Sequence, residues 1–244
     1  MKSIFVVIPV RNEERAITPI LQKIINLKIP NIHIIPVIDR YSKDGTQKII
    51  ERMQRHLPVN LLYHTNSTGV VSSYLYGLKH SLVHGADYIV EMDAGGSHDP
   101  SVIPKFIDAL DNGYDCAFAS RFMKGGRIEN HPLSRRILSR YGTLLANLVL
   151  GTKLTDMTSG YKAIKRDVLE AMDLDDFLSI GTSYIYQTEM HYYCSRLNIC
   201  EIPIVYVGSY SEFKFSSVPK CLKILFALKK RTPIVKKTVS YPCR

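Results

Sequence analysis

The chain has 244 residues, 45% of them hydrophobic, which suffices for one sizeable core, and no Pro-, Ser- or Gly-rich linker divides it. Its formal net charge is +10, yet nine of the 32 lysines and arginines fall from Lys214 onward, where no acid occurs, and the first 213 residues balance at 23 basic against 22 acidic. A nearly neutral body without a nucleic-acid-reading motif argues against nucleic acid as partner, five cysteines without a C-x-x-C pair exclude a zinc ribbon or dithiol redox centre, and no apolar run approaches the ~18 to 20 residues of a spanning helix.

The run SIFVVIPV (3–10) is continuously apolar, as in a strand buried on both faces. Charges follow at once and no small-residue cleavage site does, so it does not read as a signal peptide. With the odd, irregular cysteine set, this points to a reduced, cytoplasmic compartment. Asn12, Glu13 and Glu14 open a helix over 14–28; HIIPVI (33–38) is a second strand, followed by a turn at 42–45 and a helix over 46–56. VNLLYH (59–64) predicts a short third strand, residues 69–84 a helix, ADYIVEM (86–92) a fourth strand, residues 100–112 a helix with Pro100 in its first turn, and YDCAFAS (114–120) a fifth strand. Alternation of this kind predicts an α/β fold, a mostly parallel central sheet with helices on both faces of a single domain. The regularity then breaks, with helices over 134–150 and 183–197 and a strand over 199–207.

The division expected is a catalytic domain over 1–216 and a basic amphipathic tail over 217–244. In the tail Val218, Leu222, Leu225 and Phe226 recur at helical spacing while Lys220, Lys223 and Lys230 take other faces. Such a helix lies on an anionic membrane surface, or packs on the domain with its lysines solvated.

Three polar loops follow strands of the first half: Pro9 to Glu14, Asp39 to Thr46, and Asp93 to Pro100. In an open α/β sheet these carboxyl ends converge on one crevice. None is a G-x-G-x-x-G or G-x-x-x-x-G-K-[ST] loop, so neither a dinucleotide fold of the usual kind nor a P-loop is supported. Asp93 ends an apolar strand beside Gly95 and Gly96, which packing explains poorly. Two acids here would hold a divalent ion against a diphosphate, since hard cations take oxygen ligands; this chain has Asp93 and, two residues on, Gly95. Asp99 before Pro100 reads as a helix cap and His98 as a loop-orienting residue.

Taken in order, VVIPVRNEE, IDRYSKDGT, NSTGVVSSYLYGLKH, VEMDAGGSHDP, ASRFMKGG, RRILSR, DMTSGYKA, YIYQTEM and EIPIVY resemble family 2 glycosyltransferases of the dolichol-phosphate mannosyltransferase type, from about residue 4 to 216. The resemblance implies a glycosyltransferase A fold, a GDP- or UDP-linked sugar donor, Mg²⁺ or Mn²⁺, and a polyprenyl phosphate acceptor. It implies a peripheral enzyme on the cytoplasmic face of a membrane, with a separate membrane subunit as a further possible partner. Carried over by position, Pro9, Arg11, Glu13, Asp39 and Asp93 bind nucleotide, and Asp93 and Ser97 meet the metal. Arg121, Arg135, Arg136, Ser139 and Arg140 meet the acceptor phosphate, and Asp93, Arg121 and Lys214 carry the catalytic role. Departures are Arg40 and Gly95 in place of acids, and Ser209 in place of an arginine in a shortened late loop. Asp156, Thr158, Ser159 and Gly160 line a pocket or form a turn, and Gln187 and Glu189 lie near the acceptor or pack. Two other readings stand beside this one: the same fold with transfer to a sugar hydroxyl, with Glu189 or Asp156 as base, and a non-catalytic nucleotide-sugar binding protein, to which Gly95, Arg40 and the altered late loop point.

Overall fold

The computed structural model describes residues 1–208 and 215–234. Its first half alternates as the sequence predicts: β1 (Ile4–Val10), α1 (Ile17–Asn26), β2 (Ile32–Asp39), α2 (Thr46–Met53), β3 (Leu62–His64), α3 (Val70–Val83) and β4 (Tyr88–Glu91). After α4 (Ile103–Asp111) and β5 (Cys116–Ser120) come β6 (Arg127–Glu129), α5 (Leu133–Leu150), β7 (Lys162–Lys165), α6 (Arg166–Glu170), α7 (Ser183–Cys194), β8 (Ile199–Pro203), β9 (Val205–Val207) and α8 (Val218–Leu228).

Seven strands form the main sheet in the order β3-β2-β1-β4-β7-β5-β8. Strands β1 to β4 pair in parallel, with Ile4 opposite both Ile32 and Tyr88, and β5 is parallel to β8. Only β7 runs antiparallel, between β4 and β5. The chain builds outward from β1 to β3 and then returns to place β4 on the other side of β1. This reversal opens a crevice beyond the carboxyl ends of β1 and β4, where Arg11, Glu13 and Asp93 follow their strands.

Both faces are covered. Ile17, Leu21 and Ile24 of α1 and Phe106 and Leu110 of α4 pack on one side; Tyr74 and Leu78 of α3, Leu169 of α6 and Met190 and Cys194 of α7 pack on the other. Gly77 brings α3 hard against β1, since a Cβ there would lie 2.4 Å from Val7 Cγ1. A third cluster joins Ala146 of α5, Ile185 and Tyr192 of α7 and Ile224, Leu225 and Leu228 of α8. Beyond α8, Tyr192 Oη donates to the Arg231 carbonyl (2.7 Å) and Ile234 N–H to the Tyr193 carbonyl (2.8 Å), so the chain as far as Ile234 is docked on α7. No helix among the described residues is long and apolar enough to cross a membrane.

The expected third strand is shorter than 59–64: only an isolated bridge, Ile34 to Val59, precedes Leu62. The expected strand 199–207 is two strands, β8 in the main sheet and β9 paired with β6 in a small second sheet. Residues 195–197 lie outside α7, which ends at Cys194. The expected tail helix forms over 218–228 with Val218, Leu222 and Leu225 turned towards the protein and Phe226 exposed; Lys214, Ser209 and residues 235–244 lie outside the described residues.

Candidate active site at the carboxyl ends of the sheet

The loops after β1 and β2 are laced together. Asn12 N–H donates to Ser42 Oγ (3.0 Å), Glu13 N–H to Thr46 Oγ1 (2.9 Å) and Glu14 N–H to Asp44 Oδ2 (3.1 Å), while Lys43 N–H returns to Asn12 Oδ1 (2.8 Å). Asn12 takes a left-handed φ of 55° to make the exchange. Asp39 is buried and accepts from Tyr41 N–H (2.7 Å) and Ser67 Oγ (3.1 Å), which fixes the loop after β2 against the start of α3. The guanidinium groups of Arg11 and Arg40 lie 5.1 and 4.7 Å from the centre of the Tyr41 ring.

These loops, the amino end of α3, α5 and α7 enclose a cleft of about 1070 Å³. Pro9, Arg11, Glu13, Asp39, Asp93, Ser97, Arg121, Arg135 and Ser139 all line it. Arg136 and Arg140 are exposed and do not; the Arg140 guanidinium sits 5.2 Å from the Phe122 ring centre. The amino end of α3, entered through Gly69 at φ +136°, lines the cleft with Gly69, Val70, Val71 and Ser73, and a helix amino end is a favourable field for phosphate.

Asp93 projects from the end of β4 with its side chain 42% exposed. Tyr74 Oη donates to its Oδ1 (2.6 Å), and His98 Nε2 lies 3.7 Å from its Oδ2. Because Asp93 N–H donates to His98 Nδ1 (3.1 Å), the ring proton belongs on Nε2, facing the carboxylate. Burial pushes His98 below the ordinary histidine value, against the opposing pull of Asp93, in keeping with an Nδ1 that accepts a hydrogen bond. It stacks on Tyr161 at 4.8 Å and orients the loop, while Asp99 caps the following turn through Ser101 N–H. Glu13 lies within electrostatic reach of Asp93: burial first, then Asp93 and Asp44, raise its pKa.

Among the described residues no group of three His, Cys, Asp or Glu side chains would hold a metal unaided. Asp93 offers a half-exposed carboxylate, Ser97 a hydroxyl in the cleft lining, and Gly95 nothing. That set fits a hard cation that keeps water and takes most of its remaining ligands from a substrate diphosphate, as Mg²⁺ does with one or two carboxylates.

Beneath Asp93 runs a buried polar network whose members carry no motif of their own. Glu91 and Lys162, directly opposed across β4 and β7, are 1% and 0% exposed and form an ion pair at 3.0 Å. Tyr186 Oη donates to the other Glu91 oxygen (2.9 Å), its ring stacks on Tyr74 at 5.6 Å, and Lys162 also donates to Gln187 Oε1. The signal for the pair was present: a glutamate inside the apolar run YIVEM needs a buried cation, and only the antiparallel insertion of β7 reveals which lysine supplies it.

Arg121 is bonded on its inner edge. Its Nε and Nη2 donate to Asp156 at 2.7 and 2.8 Å, Nη2 also to Thr158 Oγ1 at 2.5 Å, and its backbone N–H to Asp156 Oδ2 at 3.1 Å. Asp156 also accepts from Thr158 N–H, so the loop 156–160 is a turn built around this pair and still contributes Thr158 and Gly160 to the cleft wall. Glu189 accepts from Leu178 and Ser179 N–H, both at 2.8 Å, and is wholly buried. Both acids open to a general-base role are thus consumed in structure.

The cleft is chemically divided. Its acids, Glu13, Asp39 and Asp93, all come from the ends of β1, β2 and β4. The wall made by α5, α7 and α8 carries Arg135, Ser139 and Gln187 among Leu138, Leu145, Ala146, Ile185, Leu222 and Leu225, with no acid among the described residues.

Residues 5–173 match the family "Glycosyl transferase family 2". Polyprenol monophosphomannose synthase of Mycolicibacterium smegmatis is 33% identical over 205 residues, 82% of this chain and 76% of that protein. Undecaprenyl-phosphate mannosyltransferase of Micrococcus luteus is 35% identical over 207 residues, 84% and 83% of the two chains. Among solved structures, glucosyl-3-phosphoglycerate synthase from Mycobacterium tuberculosis, with Mn²⁺, UDP-glucose and phosphoglyceric acid, matches with a TM-score of 0.71 at 16% identity, over 93% of this chain and 80% of that one; this is a likeness of fold, the glycosyltransferase A fold. A family match over most of the chain, joined by relatives above 30% identity, makes this chain a glycosyltransferase that belongs to glycosyl transferase family 2.

Proposed function

We propose that this enzyme transfers a hexose, mannose first among the candidates, from a nucleotide diphosphate to a polyprenyl phosphate at the cytoplasmic face of a membrane, with inversion at the sugar carbon. The observation that carries this reading is the divided cleft: acids at the strand ends, and an acid-free wall of arginine and apolar side chains opposite. A lipid phosphate matches that wall, with its anion at Arg135 and Ser139 and its chain along Leu145, Leu222 and Leu225. An ionised phosphate is already a nucleophile and needs no general base. The burial of Glu189 and Asp156 therefore suits it, and counts against a sugar hydroxyl as acceptor.

In the proposed reaction an acceptor phosphate oxygen attacks the anomeric carbon. The bond from that carbon to the donor's diphosphate oxygen breaks, and the nucleoside diphosphate leaves with the electron pair. Negative charge grows on the leaving group and must be met by fixed positive groups. When bound, Mg²⁺ or Mn²⁺ would neutralise part of it, with Asp93 and Ser97 as its protein ligands. Arg11, the α3 amides and Lys214 would share the donor phosphates, and Arg135 and Ser139 would seat the acceptor. Arg121, locked by Asp156, would set the shape and positive potential of the wall between the two, and Asp39 would hold the nucleoside loop. Guanidinium suits this work because it binds phosphate oxygens in pairs.

Transfer to a polyprenyl phosphate, assayed with GDP-mannose, UDP-glucose and related donors with and without Mg²⁺ or Mn²⁺, tests the reading. Formation of a lipid-linked sugar from one donor supports it. Nucleotide binding without turnover of any donor would favour a binding protein and refute it.

A further inference from the structure

We infer that the outer face of α5 is a membrane-docking surface, which lays Leu133, Ile137, Tyr141, Leu144 and Leu148 into an anionic bilayer interface. Soluble proteins seldom leave apolar side chains massed on one helix, yet these five are 67%, 46%, 65%, 51% and 81% exposed. At about 100° per residue they fall within an arc of roughly 80°. Arg136 and Arg140, both exposed, flank that arc on one side, and the helix carries no acid. The opposite face holds Arg135, Leu138, Ser139, Gly142 and Ala146, all lining the cleft.

One helix thus separates the cleft from an apolar stripe bordered by arginine, with a tyrosine whose amphipathic ring suits the headgroup level. The occupant that fits is a lipid surface: apolar chains for the stripe and anionic headgroups for the guanidinium groups. This deepens the proposed function and rests on it in one respect only, that docking would bring the Arg135 side of the cleft to the headgroup level where a lipid phosphate resides. Docking itself needs no sugar chemistry, and the two are tested apart.

The chain contains no tryptophan, so Leu148→Trp in the full chain introduces a sole indole reporter. With phosphatidylglycerol and phosphatidylcholine vesicles its emission is expected to shift to the blue and to be quenched by brominated acyl chains, with weaker effects on phosphatidylcholine alone. The triple variant Ile137→Ser, Leu144→Ser, Leu148→Ser, altered only at exposed positions outside the cleft, is expected to lose vesicle partitioning by more than about tenfold. It should turn over a short, water-soluble prenyl phosphate at the wild-type rate. Absence of vesicle binding, or binding with the indole unshifted and unquenched, overturns the inference and in the second case moves the anchor elsewhere. A blue shift that appears without lipid and grows with protein concentration overturns it in favour of a second copy on this face. If the wild type turns over no prenyl phosphate, the proposed function fails while the indole emission still decides the docking.

Discussion

Asp156→Asn is the sharpest test of how the cleft wall is built. Asp156 is 1% exposed and accepts from Arg121 Nε at 2.7 Å, Nη2 at 2.8 Å and backbone N–H at 3.1 Å, and from Thr158 N–H at 3.0 Å. Asparagine keeps the volume but removes the countercharge and turns an amide donor towards a guanidinium donor. The Arg121 side chain is only 7% exposed, so water cannot take over. Leaving one partner of a buried pair uncompensated costs about 3–5 kcal/mol. For a chain of this size that is a fall in Tm of roughly 6–20 °C. Urea unfolding and thermal melts followed by circular dichroism read it directly. Arg121→Met combined with Asp156→Leu removes both charges and should recover most of the loss. The pH dependence gives a second reading. Burial alone would raise the Asp156 carboxyl, but Arg121 and the backbone donors bring it below its ordinary value. With a folded pKa below the unfolded one, the stabilisation is complete above about pH 4 and is lost as pH falls through the folded value; Asp156→Asn should lack that component. A cost under about 1 kcal/mol at neutral pH, or a double variant as unstable as the single one, would refute the account.

Asp93→Ala should abolish the metal-dependent part of nucleotide-sugar affinity in calorimetric titrations; an unchanged dissociation constant would show that Asp93 is not a ligand. Gly95→Asp restores a second acid where the backbone is not left-handed, unlike Gly96 at φ +81°, and should raise Mn²⁺ affinity by about tenfold or more, read by calorimetry with and without nucleotide. His191 is buried against Phe118, and neither ring nitrogen has a hydrogen-bond partner of ordinary geometry among the described residues; burial lowers its pKa to about 3. Since the unfolded chain takes the proton near pH 6.5, stability is full above that value and erodes as pH falls towards 3, so His191→Leu should flatten acid unfolding between about pH 6 and pH 4. Gly77→Ala would press a methyl into Val7 and Val37, at 2.4 and 3.0 Å, and should cost about 1–3 kcal/mol despite the gain in helix propensity, with Val7→Ala restoring part of it in thermal melts.

What the sequence made legible follows from what local pattern encodes. The parallel half of the sheet was readable because each strand is an apolar run closed by a polar loop, and the loops carrying Arg11, Asp39 and Asp93 therefore converge at the reversal between β1 and β4. Strand β7 was not readable: KAIK is four residues with a lysine at each end, and its strand character comes from lying between β4 and β5, a long-range fact. The single strand expected over 199–207 failed because period and composition continue through Ile204 while the pairing partner changes from β5 to β6. For α5, the spacing of the arginines showed a helix but not which of them faced inward. The fold puts Arg135 and Ser139 on the cleft and leaves Arg136 and Arg140 outside, beside an apolar stripe that only three-dimensional packing shows to be uncovered.

The Glu91–Lys162 pair explains how Asp93 is aimed without a second acid beside it. As a source of stability the pair is a poor choice, because two apolar residues of similar size would bind β4 to β7 as well or better. Its distinctive effect is on register: Glu91 and Lys162 are direct cross-strand partners, and a slip of one residue in this short antiparallel strand would turn Lys162 to the other face and leave Glu91 buried without its cation. Fixing β4 fixes Asp93 two residues beyond it. Tyr186 ties Glu91 to the ring of Tyr74, whose hydroxyl holds Asp93 Oδ1, and Lys162 reaches Gln187 on the cleft wall of α7. One buried network therefore sets the carboxylate on the acidic side of the cleft and a side chain on its acid-free side. With Gly95 supplying no ligand, a lone carboxylate in this loop can serve a substrate-held cation only if its position is set in advance. The network is where this chain places that constraint.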